Sequence, residues 1–517
     1  MVSAVASPRG MLSSRISPGR LPQLCVSVQA GNMTDLLTLA ERAARESNLI
    51  ELRLDAIKPP TAVGAPLRSF LRSLPHVQVI ATCRKQTYGG QYHGSAQGEL
   101  HILLDAARAG CAVVDLELQS AERLSAHAVA ELRQRANLIV SYHDYKSTPA
   151  LEPLWKRLSA IPADIYKLVT TANQISHNAT MLQFLEAHSA DHALVGFCMG
   201  EAGLLSRLLA LRSGALFTFA ALDPALATAS GQPDLATMRE LYRMGAINRA
   251  TRVFGVLGHP LEHSLSPQMH SAAFQRVGLN AIYLPLASRK PTDVLDCADE
   301  IPLSGLSVTH PYKSAFLDQL ERLDALAEAV GAINTVVRSQ GKLYGYNTDI
   351  AGVVEPLGAA LPLRGAKILV VGAGGAARAA VFGLRSRGAH VFIYNRTRAH
   401  AQALASAAKA KVVSRTDLKK LSFQALVHAT PVGQYPKVQE SLLESDEIHA
   451  EVVFDLVYNP LETELARRAR AAGARVINGV EMFVHQGARQ FELWTGKPAP
   501  LDAMRAAVLK ELGNSKQ

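Results

Sequence analysis

One lysine inside an apolar run in the first half of the chain could do covalent chemistry. Lys167 stands in DIYKLVTTA, among apolar neighbours. Desolvation should disfavour its ammonium form, and the free amine could then attack a ketone and form a Schiff base. The alternative is a structural lysine that pairs with an inward-facing acid such as Glu51 or Glu117. The run by itself leaves both interpretations open.

Other apolar runs carry polar residues two positions apart, which share one face of a strand. A buried histidine is more often a satisfied core residue than a catalyst. A lysine and a histidine with acids beside them nevertheless favour acid/base chemistry at an imine. The sets are Glu51, Arg53 and Asp55 in IELRLD, Thr82 and Arg84 in ATCRK, Asp115 and Glu117 in VDLEL, and Ser141 and His143 in VSYHD.

Four polar motifs follow one another in the second half of the chain. Ser264 and Ser266, in HPLEHSLSPQMH, could bind a carboxylate. The alternative is an N-cap before a helix that starts near Pro267. A lone lysine or aspartate on a loop is usually a surface residue, but four such motifs in order are less easily explained in that way. The other three carry Thr309 and Lys313 in VTHPYK, Asn334 in GAINTV, and Asn347 and Asp349 in GYNTDIAG.

The run ILVVGAGGAARAA is an apolar strand that leads through a glycine-rich turn into a helix. Its form, GxGGxxR, departs from the strict GxGxxG pattern. A pyrophosphate would lie at the helix N-terminus, against the turn residues Gly372, Ala373, Gly374, Gly375 and Ala376.

The next strand ends in VFIYNRTR, about twenty residues after the glycine turn, where an acid would bind the ribose of NAD. Its polar end consists instead of Asn395, Arg396, Thr397 and Arg398. Cations at this place suit a 2′-phosphate. The pattern therefore predicts NADP(H), and the alternative is an exposed basic loop.

Eight short apolar runs in the first half alternate with segments of helical periodicity. They are rich in Val, Ile, Leu and Ala, as strands buried on both faces are. Eight β-α repeats within about 230 residues predict an α/β fold of the (β/α)8 TIM-barrel type, whose active site forms at the carboxyl ends of the strands. The runs cover residues 23–30, 49–55, 77–84, 112–118, 137–143, 164–171, 192–199 and 215–222.

The second half predicts two α/β lobes, of which one is a Rossmann-like lobe for NADP(H). The joint near residues 243–252 is short, so we expect the two halves to be closely coupled. The predicted domains are a disordered N-terminal extension over 1–20, the barrel over 21–247, a substrate-binding lobe over 252–355 completed by helices at about 485–512, and the NADP-binding lobe over 360–484.

The motifs ELRLD, TCR, DLEL, SYHDY, IYKLVT, GLLSR and SGQ together resemble the type I 3-dehydroquinate dehydratases, over about residues 21–245. The resemblance implies a dehydration without metal, in which Lys167 forms an imine with the C3 ketone. His143, oriented by Glu117, would be the general acid/base. Ser230 departs from the family's common Pro, in the loop that carries Gln232. The implied substrate-binding residues are Glu51, Arg53, Arg84, Arg207 and Gln232.

The motifs of the second half resemble shikimate dehydrogenase, over about residues 252–512. The resemblance implies that Lys313 and Asp349 form the catalytic pair, with Lys313 as proton donor to the ketone oxygen. Ser307 stands where many members have Asn. The implied substrate-binding residues are Ser264, Ser266, Thr309, Asn334, Asp349, Tyr458 in DLVYNP and Gln486 in GVEMFVHQGARQF.

The order of the two halves resembles the fused plant-type enzyme. Such a chain would dehydrate 3-dehydroquinate to 3-dehydroshikimate and reduce that ketone to shikimate with NADPH. One rival is a quinate dehydrogenase, which differs in the hydroxyl pattern of its substrate. A second rival is a non-catalytic metabolite sensor, which predicts loss of the catalytic groups, whereas Lys167, His143, Lys313 and Asp349 are all present.

Composition bounds the partners of the chain. Its 517 residues carry a formal net charge of +10, but the basic residues are dispersed, so anionic substrates account for the charge and we expect no nucleic-acid partner. No run of about 18 apolar residues occurs, so we expect no membrane span. We expect small-molecule substrates, no resident metal and a monomer, with an oligomer as the alternative.

The five cysteines are widely spaced and form no CxxC, which is typical of free thiols in a reducing compartment. Residues 1–20 are rich in Arg and Ser and lack acids. That composition is typical of a disordered tail, and the alternative is an organellar transit peptide. We therefore expect the cytoplasm, with the plastid as the alternative.

Overall fold

The computed structural model describes residues 22–58, 63–262 and 264–514, and the predicted extension over residues 1–20 lies outside them. The chain packs into two compact units. Of the described residues, the first contains those up to Arg252 together with Leu286–Pro302, and the second contains those of Val253–Pro285 and those from Leu303 onward.

The first unit is an eight-stranded parallel sheet that is nearly closed into a barrel. The strand order is β7-β6-β5-β4-β3-β2-β1-β8. The Leu216 amide, just before β8, donates to the Leu194 carbonyl at the start of β7 (2.8 Å), which joins the two ends. The predicted barrel is confirmed, and every strand lies within its predicted run. The strands are β1 (Leu24–Gln29), β2 (Leu49–Arg53), β3 (Gln78–Thr82), β4 (Val113–Glu117), β5 (Asn137–His143), β6 (Ile165–Thr171), β7 (Leu194–Met199) and β8 (Thr218–Ala221).

One apolar cluster fills the barrel interior near the strand starts. At its base lies one residue from each strand or, for β8, from the position before it, and each of these eight is at most 1% exposed. Because side chains alternate along a strand, the inner face that begins with Ile139 on β5 continues with Ser141 and His143. Polar groups on this face therefore collect at the carboxyl ends. The eight residues are Cys25, Leu49, Ile80, Val113, Ile139, Ile165, Val195 and Phe217.

Helices cover the outside of the barrel. Several begin at a side chain that accepts from the first turn, such as Asn32 before α1 and Ser95 before α3. The helices are α1 (Met33–Glu46), α2 (Gly64–Ser73), α3 (Ala96–Ala109), α4 (Leu118–Ala121), α5 (Ala126–Arg135), α6 (Leu151–Ser159), α7 (Ser176–His188) and α8 (Leu204–Leu209).

The stretch Leu286–Pro302 packs with the barrel, although it falls within the predicted substrate-binding lobe. Its Asp293 carboxylate accepts from the backbone N–H groups of Ile175 (2.6 Å) and Ser176 (3.2 Å), at the start of α7. Ile175, the N-cap residue of α7, offers no side-chain acceptor. A residue more than a hundred positions along the chain supplies the cap instead.

The second unit contains two six-stranded sheets. The first, with order β10-β9-β11-β13-β14-β12, mixes parallel and antiparallel pairs. Its strands are β9 (Arg252–Gly258), β10 (Ala281–Ala287), β11 (Leu303–Val308), β12 (Arg322–Leu323), β13 (Thr335–Ser339) and β14 (Lys342–Tyr346). The helices of the second unit in this part of the chain are α9 (Ser266–Arg276), α11 (Ala325–Val330) and α12 (Asp349–Ala360), whereas α10 (Thr292–Asp296) belongs to the stretch that packs with the barrel.

The second sheet is parallel throughout and has the order β17-β16-β15-β18-β19-β20. In order of appearance this is 3-2-1-4-5-6, the order of doubly wound dinucleotide-binding folds. The predicted Rossmann-like fold is confirmed. The strands are β15 (Lys367–Val371), β16 (His390–Tyr394), β17 (Lys411–Val412), β18 (Phe423–His428), β19 (Ala450–Asp455) and β20 (Arg475–Ile477).

Two C-terminal helices return to the first sheet of the second unit. They are α17 and α18, which pack against α12 and α9 respectively. In the described part of the chain, no helix combines the length and apolar character that crossing a bilayer requires. The remaining helices are α13 (Gly375–Ser386), α14 (Arg398–Ala408), α15 (Arg415–Leu418), α16 (Glu464–Ala471), α17 (Gly479–Thr495) and α18 (Leu501–Asn514).

A buried acid lies on α3, outside the inner face of the barrel. Glu99 is fully buried, and Ser120 donates to its Oε2 (2.5 Å). Its Oε1 has no hydrogen-bond partner in the described residues. Burial raises the pKa of Glu99 from 4.5 to about 7, against the Ser120 hydrogen bond.

We predict that Glu99 makes the free energy of unfolding of the native barrel fall as pH rises. Glu99→Gln should abolish this fall. The raised pKa means that the unfolded chain releases this proton from about pH 4.5 and the folded chain only near pH 7, so the free energy of unfolding falls across that window. The variant should gain up to about 3 kcal/mol above pH 7 and little at pH 4.5.

Trp155 on α6 reports on the barrel alone in a Trp494→Phe background, so urea unfolding from pH 4.5 to 8 measures the effect. Glu41→Gln, at an exposed position of α1, is the matched control and should leave the pH dependence unchanged. The prediction would be contradicted if the free energy of unfolding of Glu99→Gln changed with pH in parallel with that of the parent.

Candidate active sites

A cavity at the carboxyl ends of the barrel strands gathers most of the predicted residues of the first half. Lys167 and His143 line it on adjacent strands, and Glu117 lies behind His143. Arg207, on α8, and the loop residue Gln232 line it from the last β-α units. The polar lining is Glu51, Arg53, Arg84, His143, Tyr145, Lys167, Arg207, Thr228 and Gln232, and the apolar lining includes Phe197, Met199 and Phe219.

Lys167 contacts two carboxylates rather than purely apolar neighbours. Its Nζ lies 2.9 Å from Asp115 Oδ2 and 3.4 Å from Glu51 Oε1. The amine also lies over the Phe219 ring, 4.3 Å from its centroid. The apolar surroundings expected from the sequence are therefore wrong for Nζ, because residues of neighbouring strands place two acids beside it. The amine still lines the cavity, so Lys167 can be paired with these two acids and still react with a ligand in the cavity.

Glu117 orients His143. It accepts from the backbone N–H of His143 (3.0 Å) and lies 3.1 Å from Nδ1. Burial lowers the pKa of His143 well below its ordinary value, and the charges of Arg84 and Lys167 lower it further. The imidazole is therefore neutral near pH 7 and can accept a proton.

The three acids of the cavity floor differ in pKa. Burial favours protonation of Glu51, but the charges of Lys167 and Arg53 hold its pKa well below the ordinary value. Burial acts on Asp115 in the same way, and Lys167 and Arg84 hold its pKa below the ordinary value. Burial instead raises the pKa of Glu117 to about 7, although Arg84 donates to it (3.2 Å). Negative charge is therefore concentrated at Glu51 and Asp115.

Arg207 offers hydrogen-bond donors to the cavity. Its guanidinium is buried and lies over the Phe197 ring, and Nη1 donates to the Phe219 carbonyl (3.3 Å). Within the described residues, Nε and Nη2 have no acceptor. Burial lowers the pKa of Arg207 to about 9. A cation with unpaired donors in a cavity fits an anionic ligand such as a carboxylate.

Gln232 and Arg53 are held by their own neighbours. Gln232 Oε1 accepts from the Thr228 amide (2.9 Å) and hydroxyl (3.0 Å), within one loop. Arg53 forms a two-pronged ion pair with Asp55, with both distances 2.9 Å. Both side chains line the cavity from fixed positions.

A second polar cluster lies in the second unit. The Lys313 ammonium donates to Asp349 Oδ2, and Asn334 Nδ2 donates to Asp349 Oδ1 (2.8 Å). Asn334 Nδ2 also lies 3.3 Å from Gln486 Oε1. The structure thus brings together four predicted residues from α12, α17 and two loops. A lysine held against a carboxylate and partly open to solvent can hold or transfer a proton.

The other predicted substrate residues occupy separate positions. Ser264 Oγ accepts from the Ser266 amide at the long distance of 3.5 Å, and α9 begins at Ser266. Thr309 follows β11, and its amide donates to the Leu257 carbonyl (2.9 Å). The Tyr458 ring stacks on Phe483, whose carbonyl accepts from Gln486 Nε2 (2.9 Å).

A buried network beneath this cluster was not predicted. Gln490 Nε2 donates to the Asn334 carbonyl (2.9 Å), and Gln490 Oε1 accepts from Ser307 Oγ (2.8 Å). Ser307 in turn accepts from the Tyr283 hydroxyl (2.6 Å). Ser307, the departure from the usual Asn, therefore has a defined structural role. Gln490 lies one helical turn after Gln486, and that spacing was the available signal.

Of the remaining polar residues in the barrel, Ser27 was missed, whereas Asp115, Ser141 and Thr82 were placed on strand faces without a role. Ser141 donates to Asp115, and Ser27 (2.7 Å) and Thr82 (2.9 Å) donate to Glu51. Asp115, Ser141 and Thr82 stand two positions before Glu117, His143 and Arg84, on the same strand faces. Their positions were visible in the sequence, but their partners were not.

The predicted cofactor residues surround the start of α13. Gly372 has φ of +125°, and a Cβ there would lie 2.8 Å from the Ala429 carbonyl oxygen, so only glycine fits. Gly374 and Gly375 are exposed, with nothing within 4 Å of an added Cβ, and α13 has no side-chain cap and no acid in its first turn. Asn395, Arg396, Thr397 and Arg398 follow β16 and are mostly exposed.

An open glycine turn at an uncapped helix N-terminus, with cations at the end of the next strand, fits a dinucleotide with a 2′-phosphate. Among the described residues, no group of three or more His, Cys, Asp and Glu side chains could hold a metal ion.

Family models match four stretches of the chain. Type I 3-dehydroquinase matches residues 24–249, and the shikimate dehydrogenase substrate binding domain matches residues 256–336. Shikimate / quinate 5-dehydrogenase matches residues 358–456, and the shikimate 5′-dehydrogenase C-terminal domain matches residues 479–509.

Similar proteins cover the whole chain or its second half. The chloroplastic bifunctional 3-dehydroquinate dehydratase/shikimate dehydrogenase of Arabidopsis thaliana is 35% identical over 92% of this chain and 82% of its own length. The shikimate dehydrogenase (NADP(+)) of Methanopyrus kandleri is 43% identical over 52% of this chain and 98% of its own. A solved dehydroquinate dehydratase and shikimate dehydrogenase from S. pombe is 26% identical, covers 97% of this chain and 100% of its own, and has a TM-score of 0.46.

We predict that Lys167→Met raises the pKa of His143, because the lysine charge is one of the causes that lower it. NMR of histidine-labelled protein, with the His143 signal assigned by its loss in His143→Gln, measures the titration. Lys146→Met, an exposed lysine on the following loop, should leave the His143 pKa unchanged. The assignment of causes would be wrong if both variants titrated like the parent.

Proposed function

The chain belongs to the family of bifunctional 3-dehydroquinate dehydratase/shikimate dehydrogenases, and from that premise we propose how its residues perform the two reactions. The barrel dehydrates 3-dehydroquinate to 3-dehydroshikimate, and the second unit reduces this ketone to shikimate. The product of the first site is the substrate of the second. The observation that carries the residue roles is the meeting of Lys167, a neutral His143 and the unpaired Arg207 donors at one cavity.

In the dehydratase, Lys167 Nζ adds to the C3 carbonyl, water leaves, and an imine forms. The cationic imine nitrogen draws electrons from the adjacent carbon, so His143 can remove a proton there. The substrate hydroxyl then leaves as water with a proton returned by His143, and hydrolysis of the imine regenerates Lys167. Glu117 keeps the imidazole in position through its contacts with the ring and the backbone.

The cations of the barrel bind the substrate carboxylate and hydroxyls. Arg207 has unpaired donors for a carboxylate, and Gln232 closes the cavity beside it. Arg53 and Arg84 add positive charge, and Glu51 accepts from hydroxyl groups. These roles account for the polar lining without a metal ligand.

In the dehydrogenase, Lys313 donates the proton to the ketone oxygen and Asp349 holds the ammonium in place. Asn334 holds the other oxygen of Asp349 and is itself in contact with Gln486. Both amide side chains bind substrate hydroxyls. NADPH, when bound, supplies the hydride. The remaining substrate-binding residues are Ser264, Ser266, Thr309 and Tyr458.

The cofactor is NADP(H), held by Gly372–Ala376 and by Asn395–Arg398. The support is the open turn at the start of α13 and the cations after β16. Relatives such as the Methanopyrus kandleri enzyme carry NADP(+) in their names. Arg396 and Arg398 would bind the 2′-phosphate.

The compartment that we propose is the cytoplasm, with the plastid as the alternative. All five cysteines are free and buried, as in a reducing compartment. The partners that we propose are the two small-molecule substrates, and the proposed state is a monomer, with an oligomer as the alternative.

We predict that the two activities can be lost separately. Lys167→Ala should abolish dehydration, and borohydride with 3-dehydroquinate should label the parent at Lys167 but not this variant. Asp349→Ala should slow reduction of 3-dehydroshikimate by about 10²–10⁴-fold and leave dehydration intact. Each activity is measured alone, with Lys146→Ala as the control. Loss of both activities in either single variant would refute the two-site assignment.

We predict that Arg396→Ser with Arg398→Ser raises KM for NADPH by about 10–100-fold, because charge-assisted hydrogen bonds to the 2′-phosphate are lost. KM for NADH should change little. Arg387→Ser, at an exposed position at the other end of α13, is the control for loss of a surface arginine. Equal losses with both cofactors would argue against 2′-phosphate recognition.

A further inference from the structure

A chain of hydrogen bonds runs between the carboxyl ends of β18 and β19. His428 Nδ1 lies 2.8 Å from Asp455 Oδ1, and the two side chains are 1% and 2% exposed. His428 Nε2 lies 2.5 Å from Thr430 Oγ1, and Thr463 Oγ1 donates to Asp455 Oδ2 (2.5 Å). A hydroxyl, an imidazole and a carboxylate thus stand in line, and none of them belongs to the substrate cluster.

The direction of each hydrogen bond follows from the donors around it. The Ala466 amide donates to Thr463 Oγ1 (3.1 Å), so the Thr463 proton goes to Asp455. The Asp455 carboxylate can only accept, so a neutral His428 carries its proton on Nδ1. Nε2 is then an acceptor, and Thr430 donates its hydroxyl proton to it.

Thr430 is left with an oxygen that can only accept. The Val432 amide donates to it at 3.3 Å, and a hydroxyl oxygen has two lone pairs. Thr430 is partly exposed, whereas His428 behind it is buried. The network therefore presents one oriented acceptor at the surface of the lobe.

Thr430 lies beside the glycine turn, on the side away from the adenosine end of the site. β18 borders β15 opposite β16, and a Cβ on Gly372 would lie 3.2 Å from Thr430 Cγ2. If β16 takes the 2′-phosphate and the turn takes the pyrophosphate, the nicotinamide half extends toward β18.

We propose that Thr430 binds the nicotinamide-ribosyl half of NADP(H) by accepting a hydrogen bond, and that His428 and Asp455 are positioning residues that fix its hydroxyl. The proposal rests on the NADP(H) site proposed above. Phosphate oxygens accept hydrogen bonds, so the matching donors on this half are a ribose hydroxyl or the carboxamide N–H.

A purely structural role makes a different prediction. The Thr430 methyl packs near Gly372. In a purely structural role, the hydrogen-bond network would serve only to hold Thr430 against the glycine turn. Thr430→Val keeps a methyl at this position and removes the hydroxyl. Thr430→Ser keeps the hydroxyl and removes the methyl.

The test measures Kd for NADPH by fluorescence titration of the full-length protein and both variants. Thr430→Val should raise Kd by about three- to tenfold, as for one lost hydrogen bond, and Thr430→Ser should stay near the parent. A 2′-phospho-ADP-ribose probe, which lacks the nicotinamide ring, separates the donors. A penalty that persists with the probe identifies the ribose hydroxyl, and one that disappears identifies the carboxamide.

Three results would overturn the proposal: no change in either variant, a larger rise in Thr430→Ser, or equal rises in both. ¹⁵N NMR of His428 adds an independent check, since a neutral ring protonated on Nε2 would make Thr430 a donor and also overturn it. Dehydratase activity, measured in the other unit, should be unchanged and controls for protein quality. Failure of the parent itself to bind NADPH would refute the cofactor assignment first, and this proposal with it.

Discussion

The balance of buried charge at the barrel mouth is the constraint on which the first reaction depends. Isolated ions are costly to bury. Lys167 and Arg84 offset Glu51 and Asp115, while His143 is neutral and Glu117 has a pKa near neutrality. The same cations that stabilise the two acids also lower the pKa of His143. Burial is the larger cause of this low pKa, so the neutral base depends first on burial and then on the cations that pair with the acids.

The second site depends on a different constraint, which is that the buried side-chain amide of Asn334 must have all its hydrogen bonds. Asn334 Oδ1 accepts from the Thr348 amide (2.7 Å), and its Nδ2 donates to Asp349. Its backbone carbonyl is held by Gln490 of α17. Segments that are distant in the sequence therefore meet through a single side chain and its own backbone. Because the cluster is buried, the loss of any one hydrogen-bond partner would be destabilising. Few other arrangements of these side chains would therefore be stable.

The sequence was most informative where burial imposes a period. Strands buried on both faces are apolar throughout, so all eight barrel strands could be located. The alternation that places Ile139, Ser141 and His143 on one face also located the polar groups. It could not say which neighbour each group reaches: Lys167 contacts Glu51, one of the two acids considered, and more closely Asp115, which was not considered. Register between strands decides that contact, and one strand's sequence does not contain it.

Contacts between distant segments were the part that no local pattern could reveal. Tyr283 and Gln490 meet at Ser307 from positions far apart in the chain, and each looks ordinary in its own element. The doubly wound sheet was accessible because a glycine turn and a basic strand end mark it locally. The stretch Leu286–Pro302 was not, since its assignment to the barrel rests on a tertiary contact.

That contact bears on how the two enzymes can be separated. The barrel helix α7 takes its cap from Asp293, which is encoded after the strand β10 of the other unit. A side-chain cap of this kind contributes about 1 kcal/mol. A gene cut after Arg252 would leave Asp293 on the wrong fragment, so neither fragment would match a compact unit. Fusion in this protein therefore does more than link two independent domains. The boundary between the two enzyme sequences does not coincide with the boundary between the two compact units of the folded chain.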